Sequence, residues 1–183
     1  AANPVNMMGG SKRIMEMFLF GDVQEISVST ARFANVAFSD GSLLHGFNQR
    51  FLRGHPITAP REIERYFVTQ QEAGQLSIMS ALFGRNNEIF FPKDDVFMRL
   101  TKFTDIAKRF LEAKGFEPFE CENENEAREL TGSLISKKKW PVYFFETDTS
   151  GEKYFEEFYT QDEKLDLDRY NSIGIVKHST YSN

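Results

Sequence analysis

The sequence predicts an α/β fold, on three observations. Apolar residues at Met8, Ile14, Met15, Met17, Phe18 and Phe20 recur at helical spacing, and after Gly21-Asp22 they give way to a β-branched run from Glu25 to Phe33. A helix that feeds a strand across a short loop is half of an α/β layer unit. The switch recurs from a helical stretch over residues 70–83 to the buried-type strand Ile89-Phe90-Phe91, and Trp140-Pro141-Val142-Tyr143-Phe144-Phe145 is a further strong strand candidate.

The elements follow in order. The first helix, residues 8–20, is expected to be mostly buried and to end at Gly21-Asp22. Ser39-Asp40-Gly41 is turn material, and Leu43, Leu44, Phe47, Phe51 and Leu52 return to helical spacing. Gly54-His55-Pro56-Ile57-Thr58-Ala59-Pro60 breaks the pattern, which suggests a change of subdomain near residue 54. A short strand is expected at Arg65-Tyr66-Phe67-Val68, then the helix 70–83 with a small-residue stripe at Ala73, Ser77, Ser80 and Ala81. Pro92 stops the strand at Ile89-Phe90-Phe91, another strand is expected over residues 98–101, and a helix opening at Thr104-Asp105, with either residue as cap, ends at Gly115. The acidic run Glu120, Glu122, Glu124, Glu126 and Glu129, leading to Lys137-Lys138-Lys139, reads as a solvated face. Glu152 to Tyr159 is helix-like, and residues 162–183 read as a tail.

Composition narrows the function. The chain has 183 residues, 40% hydrophobic and 14% aromatic, with 19 Phe to fill its interior. Lys+Arg 22 against Asp+Glu 27 gives a formal charge of -5, which offers a polyanion no general attraction, so no nucleic acid partner is expected. The single Cys121 excludes an internal disulfide, and a cytoplasmic location is the expectation. His45, His55 and His178 lie far apart in sequence, so no metal site is expected. No segment approaches the roughly 20 apolar residues of a membrane span, so no membrane contact is expected of this segment.

The chemistry concentrates in Asn3-Pro4-Val5-Asn6-Met7-Met8-Gly9-Gly10-Ser11-Lys12. Met8 and Lys12 lie four apart and share a helix face. Taken alone, Lys12 reads as a snorkelling surface lysine. Gly9 and Gly10 argue otherwise, because they waste helix propensity unless a ligand or neighbouring element approaches the backbone.

This segment resembles the Asn-Pro-x-Asn-x-Tyr-Gly-Ala-[Ser/Thr]-Lys signature of extended short-chain dehydrogenase/reductases acting on nucleotide sugars, and is most similar to UDP-N-acetylglucosamine 4,6-dehydratases of polysaccharide and glycan biosynthesis. The resemblance puts the family's active-site lysine, which binds the nicotinamide ribose of NAD, on Lys12. Its usual tyrosine falls on Met8, and a thioether cannot take or give a hydroxyl proton. One branch of these dehydratases resembles this chain in carrying methionine there, with an acidic residue and a lysine upstream doing the acid/base work; by that likeness the proton carriers would precede Ala1.

The likeness continues. Arg32-Phe33-Ala34-Asn35-Val36-Ala37-Phe38-Ser39-Asp40-Gly41-Ser42 is similar to the family's Arg-[Tyr/Phe]-Gly-Asn-Val-x-x-Ser-x-Gly-Ser. It implies that Asn35 touches the substrate diphosphate or sugar and that Gly41 and Ser42 shape an anion-favouring helix start. A residue that simply holds a turn is the alternative for Asn35. Ile57-Thr58 with Arg65-Tyr66-Phe67-Val68-Thr69 resembles the segment whose arginine binds the UDP diphosphate, which would fall to Arg65. The alternative is a surface arginine paired with Glu62 or Glu64. Gly151-Glu152-Lys153 is similar to the family's Gly-Glu-Lys, with Thr149-Ser150 where the family has Arg-Pro, and implies that Glu152 meets the uridine ribose.

The resemblance implies the closing part of a Rossmann-type doubly wound domain, residues 1–54, and a smaller α/β substrate-binding subdomain, residues 55–183. It implies dehydration by internal redox: hydride leaves sugar C4 for NAD, water leaves across C5 and C6, and the hydride returns at C6. The product is a UDP-4-keto-6-deoxy-N-acetylhexosamine. A homo-oligomer is expected by the same likeness. A UDP-sugar epimerase would share the binding residues without the elimination, and a catalytically silent sugar-nucleotide-binding domain would fit the lack of any Gly-x-Gly-x-x-Gly. That lack, and an active-site helix starting near residue 1, lead to the expectation that these residues are part of a longer enzyme whose first half carries the cofactor fingerprint.

Overall fold

The computed structural model describes residues 2–21, 26–93, 99–147 and 157–178. Helix α1 (Met7–Leu19) begins where the Asn-Pro segment predicts, because Asn6 is extended and its side chain accepts from the Gly9 N–H at 2.8 Å. Strand β1 (Ser29–Ala31) is the core of the expected strand, and β2 (Asn35–Val36) follows at once. Helix α2 (Leu43–Leu52) is capped by Ser42 after Gly41 turns the chain at φ +76°. Strands β3 (Ile57–Pro60), β4 (Glu64–Arg65) and β5 (Phe67–Val68) lead to α3 (Gln70–Phe83), where Thr69 and Glu72 form a reciprocal capping box. Then come β6 (Glu88–Pro92), β7 (Thr101–Lys102), α4 (Phe103–Ala113), β8 (Glu117–Glu120), α5 (Glu124–Ile135), β9 (Lys139–Phe145), β10 (Lys164–Asp166) and β11 (Ile173–Lys177).

By contacts the chain divides into two units: Ala1–Val36, Tyr66–Arg99 and Gly151–Asn183 form one, Ala37–Arg65 and Leu100–Ser150 the other. The partition is one of contacts, whereas the expected boundary after residue 54 is one between cofactor and sugar roles.

The first unit holds a mixed sheet of order β1-β6-β11-β10, with β1 parallel to β6 and the other pairs antiparallel. Alternation along β6 serves two cores. Ile89 and Phe91 pack with Phe20, Phe158 and Val176 on one face, and Phe90 packs with Leu76 and Ile175 on the other. Gly174 lies opposite Phe91, and a Cβ there would come within 2.3 Å of the ring. A two-stranded parallel ribbon, β2 with β5, completes this unit.

The second unit holds a parallel sheet of order β3-β9-β8 and a short antiparallel pair, β4 with β7. Trp140, Val142 and Phe144 of the central β9 join Phe47, Ile57, Ala107, Phe110 and Leu111 in one buried cluster. Phe51 stacks on Trp140 at 4.4 Å between centroids, and the indole N–H donates to the His55 carbonyl at 3.1 Å.

Several expectations are corrected. Helix α1 is not mostly buried: Glu16 is its buried residue, while Met7, Met8, Ile14, Met15, Met17, Phe18 and Leu19 are exposed. The apolar residues of α1 lie on the side away from Glu16, so periodicity points to the wrong face, and the buried ion partners of Glu16 set the one that is covered. The break at residues 54–60 contains β3, which tolerates Pro60 because it is an edge strand. The acidic run keeps its solvated face, with none of its five glutamates buried, while α5, capped by Asn123, turns Ala127 and Leu134 inward. The cap of α4 is Lys102, without a side-chain hydrogen bond, rather than Thr104 or Asp105, which lie inside the helix. The expected tail supplies β10 and β11, the latter buried at Gly174, Ile175 and Val176. Only three residues of the expected strand over 25–33 are strand, residue 25 lies outside the described residues, and so do Met98 and most of the helix-like segment from Glu152.

Candidate functional site

Helix α1 carries Met8 and Lys12 one turn apart, both exposed, and Met8 is 66% accessible. Lys12 makes no hydrogen bond or ion pair among the described residues, which leaves its three ammonium donors open. The glycines of this turn have different reasons. A Cβ on Gly9 would press on Pro4 at 3.1 Å, so its close neighbour is the chain's own entry segment, whereas the space beside Gly10 is open.

Below this surface lies a buried ion network. Arg32, immediately after β1 and 8% accessible, donates through Nε to Glu16 Oε2 at 3.0 Å and through Nη2 to Glu16 Oε1 at 2.6 Å. Its Nη1 and Nη2 donate to Glu163 Oε2 and Oε1 at 2.8 and 2.7 Å, and Nη1 also donates to the Phe158 carbonyl at 2.8 Å. Five N–H donors thus meet five acceptors. Arg13 adds a second cation, 2.6 Å from Glu16 and 3.5 Å from Glu163. Burial pushes the Glu16 carboxyl upward, but the Arg32 hydrogen bonds and charge, with Arg13, outweigh it and bring the group to about 2. Glu163 is lowered by the same balance, burial opposing and the Arg32 and Thr160 hydrogen bonds prevailing. The Arg32 guanidinium is correspondingly raised, its burial overcome by Glu163 and Glu16.

Three residues beyond Arg32, Asn35 opens β2 and its backbone N–H donates to the Tyr66 carbonyl at 3.1 Å. Its side-chain Nδ2 is buried without an acceptor among the described residues. An amide so placed costs about 1–3 kcal/mol until something accepts from it.

The second unit carries the other expected site residues. Ser42 Oγ accepts from the His45 N–H at 3.3 Å, which establishes its capping role at α2. Arg65 is buried on β4, donates to the Glu64 carbonyl at 2.8 Å and lies 5.8 Å from the Phe103 ring centroid. The Glu64 carboxylate reaches Lys102 at 3.8 Å. Glu152 lies outside the described residues. Met8, Lys12 and Asn35 therefore belong to one unit, Ser42 and Arg65 to the other.

A cleft of about 420 Å³ in the first unit is bounded by Asn3, Arg13, Thr160, Glu163, Lys177 and His178, and includes none of Met8, Lys12 or Asn35. Sequence reasoning assigned no role to Glu16, Arg32 or Glu163. The available signal was a single carboxylate inside an apolar helix and an arginine at the end of a β-branched run.

As for a dinucleotide, Lys12 fits a ribose diol, since its ammonium is accessible and has no partner among the described residues. The sequence holds no glycine-rich loop to cradle a dinucleotide diphosphate. Among the described residues no three His, Cys, Asp or Glu side chains are grouped to hold a metal ion, and no helix is long and apolar enough to cross a membrane.

Comparison with known proteins gives one family and consistent relatives. The family described as polysaccharide biosynthesis protein matches residues 1–178. A probable polysaccharide biosynthesis protein of Bacillus subtilis, EpsC, is 28% identical over 158 residues, covering 85% of this chain and 25% of its own. The capsular polysaccharide biosynthesis protein CapD of Staphylococcus aureus is 33% identical over 119 residues, covering 63% of this chain and 19% of its own. The chain thus spans a quarter or less of these curated relatives. Pen from Bacillus thuringiensis shares the fold, with a TM-score of 0.71 at 20% identity, over 96% of this chain and 49% of that one.

Proposed function

Since the chain belongs to the polysaccharide biosynthesis protein family, we propose that it forms part of an NAD-dependent enzyme that dehydrates UDP-N-acetylglucosamine to a UDP-4-keto-6-deoxy-N-acetylhexosamine. Bound NAD would supply a hydride acceptor at C4 and return the hydride at C6, so that no external reductant is consumed. The chain's own residues bind and orient. Lys12 would hold the ribose hydroxyls and place positive charge beside the reacting carbon. Met8, unable to move a proton, would pack against the sugar, with the acid/base pair supplied from outside these residues. Asn35 would donate its amide to the sugar nucleotide, and by the family likeness Ser42, Arg65 and Glu152 would be further substrate contacts.

The observation that carries a binding role is Asn35. A residue that merely held a turn would spend its amide on the turn, yet here the backbone N–H makes the strand bond and Nδ2 has no acceptor among the described residues. A ligand oxygen, met by a rotation of the side chain, would relieve that cost. The test is incubation of the full-length gene product with NAD and UDP-N-acetylglucosamine, followed by the mass of the sugar nucleotide. Loss of one water supports dehydration. An unchanged mass with inverted C4 indicates an epimerase, and an unaltered sugar nucleotide removes the proposal.

A further inference from the structure

We propose that Arg32 is a positioning residue for this site: it sets the rotation of α1, and with it Met8 and Lys12, against the segment that carries Asn35. This rests on the reading of Lys12 and Asn35 as site residues.

The need for such a residue comes from α1 itself. Within α1 the apolar residues lie on the side away from Glu16 and are exposed, so hydrophobic burial holds the helix only at its end, through the fully buried Phe20. A rotation of one residue would turn the Lys12 side chain through about 100°. The Arg32–Glu16 fork removes that freedom. Glu16 lies one turn after Lys12, and both its oxygens receive Arg32 donors.

Arg32 is itself held from two sides. Its backbone N–H donates to the Phe90 carbonyl at 2.8 Å, extending the β1–β6 ladder, and its side chain is clamped from the far side by Glu163 and the Phe158 carbonyl. Between Arg32 and Asn35 the chain is pinned by buried Ala34 and by the Asn35 hydrogen bond to Tyr66. The helix, the Asn35 segment and residues 158–163 thus meet at one planar cation. A lysine has three donors and no fork, so it cannot hold two carboxylates and a carbonyl in this arrangement. A buried ion network is weak evidence for stability, because desolvation offsets much of the attraction, but it specifies geometry well.

The test uses the full-length gene product and compares Arg32→Lys, and Glu163→Gln should the first variant not fold, with the parent. Two readouts are taken: amide hydrogen exchange across α1 and α3, and kcat and KM on UDP-N-acetylglucosamine per folded, NAD-loaded molecule. The expected result is faster exchange in α1 with α3 unchanged, and a loss in kcat on the order of 10–100-fold, as misplacement by about 1 Å produces. Equal acceleration in α1 and α3, unchanged exchange in α1, or kcat retained within about twofold overturns the positioning role. If the parent has no activity on this substrate, the proposed function fails separately, and α1 exchange still decides whether Arg32 fixes the helix.

Discussion

Glu16 and Arg32 share two hydrogen bonds, at 2.6 and 3.0 Å, on the one face of α1 that is buried. Their pairing makes a pH prediction. The Glu16 carboxyl falls from its ordinary 4.5 to about 2 on folding, so its contribution is fully present above about pH 4.5 and is lost as pH falls from there through 2. Glu163, also lowered, adds in the same direction. Urea unfolding measured at intervals between pH 5 and 2 should show stability declining by a few kcal/mol, and Glu16→Gln should flatten that decline. An identical acid slope in the variant would count against the network.

Gly174 faces Phe91 across the β6–β11 pair with no room for a methyl group. Gly174→Ala should lower stability by about 1–3 kcal/mol, and Phe91→Leu in the same chain should recover part of the loss. Denaturant midpoints of the two single variants and the double variant check this. Additive losses would show that the contact is not the cause.

In the second unit, Phe51 stacks on the buried Trp140. Phe51→Ala should cost about 3 kcal/mol and shift the emission of Trp140, the chain's single tryptophan, to the red as water reaches the indole. Equilibrium unfolding followed by fluorescence reads both effects. Unchanged emission would show that Phe51 does not shield the ring.

How much of this was legible beforehand can be argued from a few residues. The helix over Gln70–Phe83 and the strands at Ile89 and Trp140 were readable because local signals agree: a stripe of small residues at helical spacing, then apolar runs of strand length. Strand β11 was not, because Ile173-Gly174-Ile175-Val176 carries a glycine whose reason, Phe91, lies more than 80 residues away. The burial of α1 was misread for the same kind of cause, a partner at Arg32 that no local pattern announces. The motif order singles out Lys12 and Asn35 as candidates, whereas the Arg32 network needed the tertiary structure to bring residues 16, 32 and 163 together.

Asn35→Ala separates binding from folding. Removing a buried amide that has no acceptor among the described residues should leave stability unchanged or slightly higher, while UDP-sugar affinity falls about tenfold. Thermal denaturation paired with calorimetric titration of UDP-N-acetylglucosamine provides both numbers. A large loss of stability with affinity intact would return Asn35 to a purely structural role.

The central claim, internal hydride transfer on a sugar nucleotide, is tested most directly with UDP-N-acetylglucosamine carrying deuterium at C4. The full-length gene product, supplied with NAD and no reductant, should yield a product lacking one water with the deuterium now at C6. An untouched sugar nucleotide, or a dehydrated product with the label lost to NAD or solvent, would contradict it.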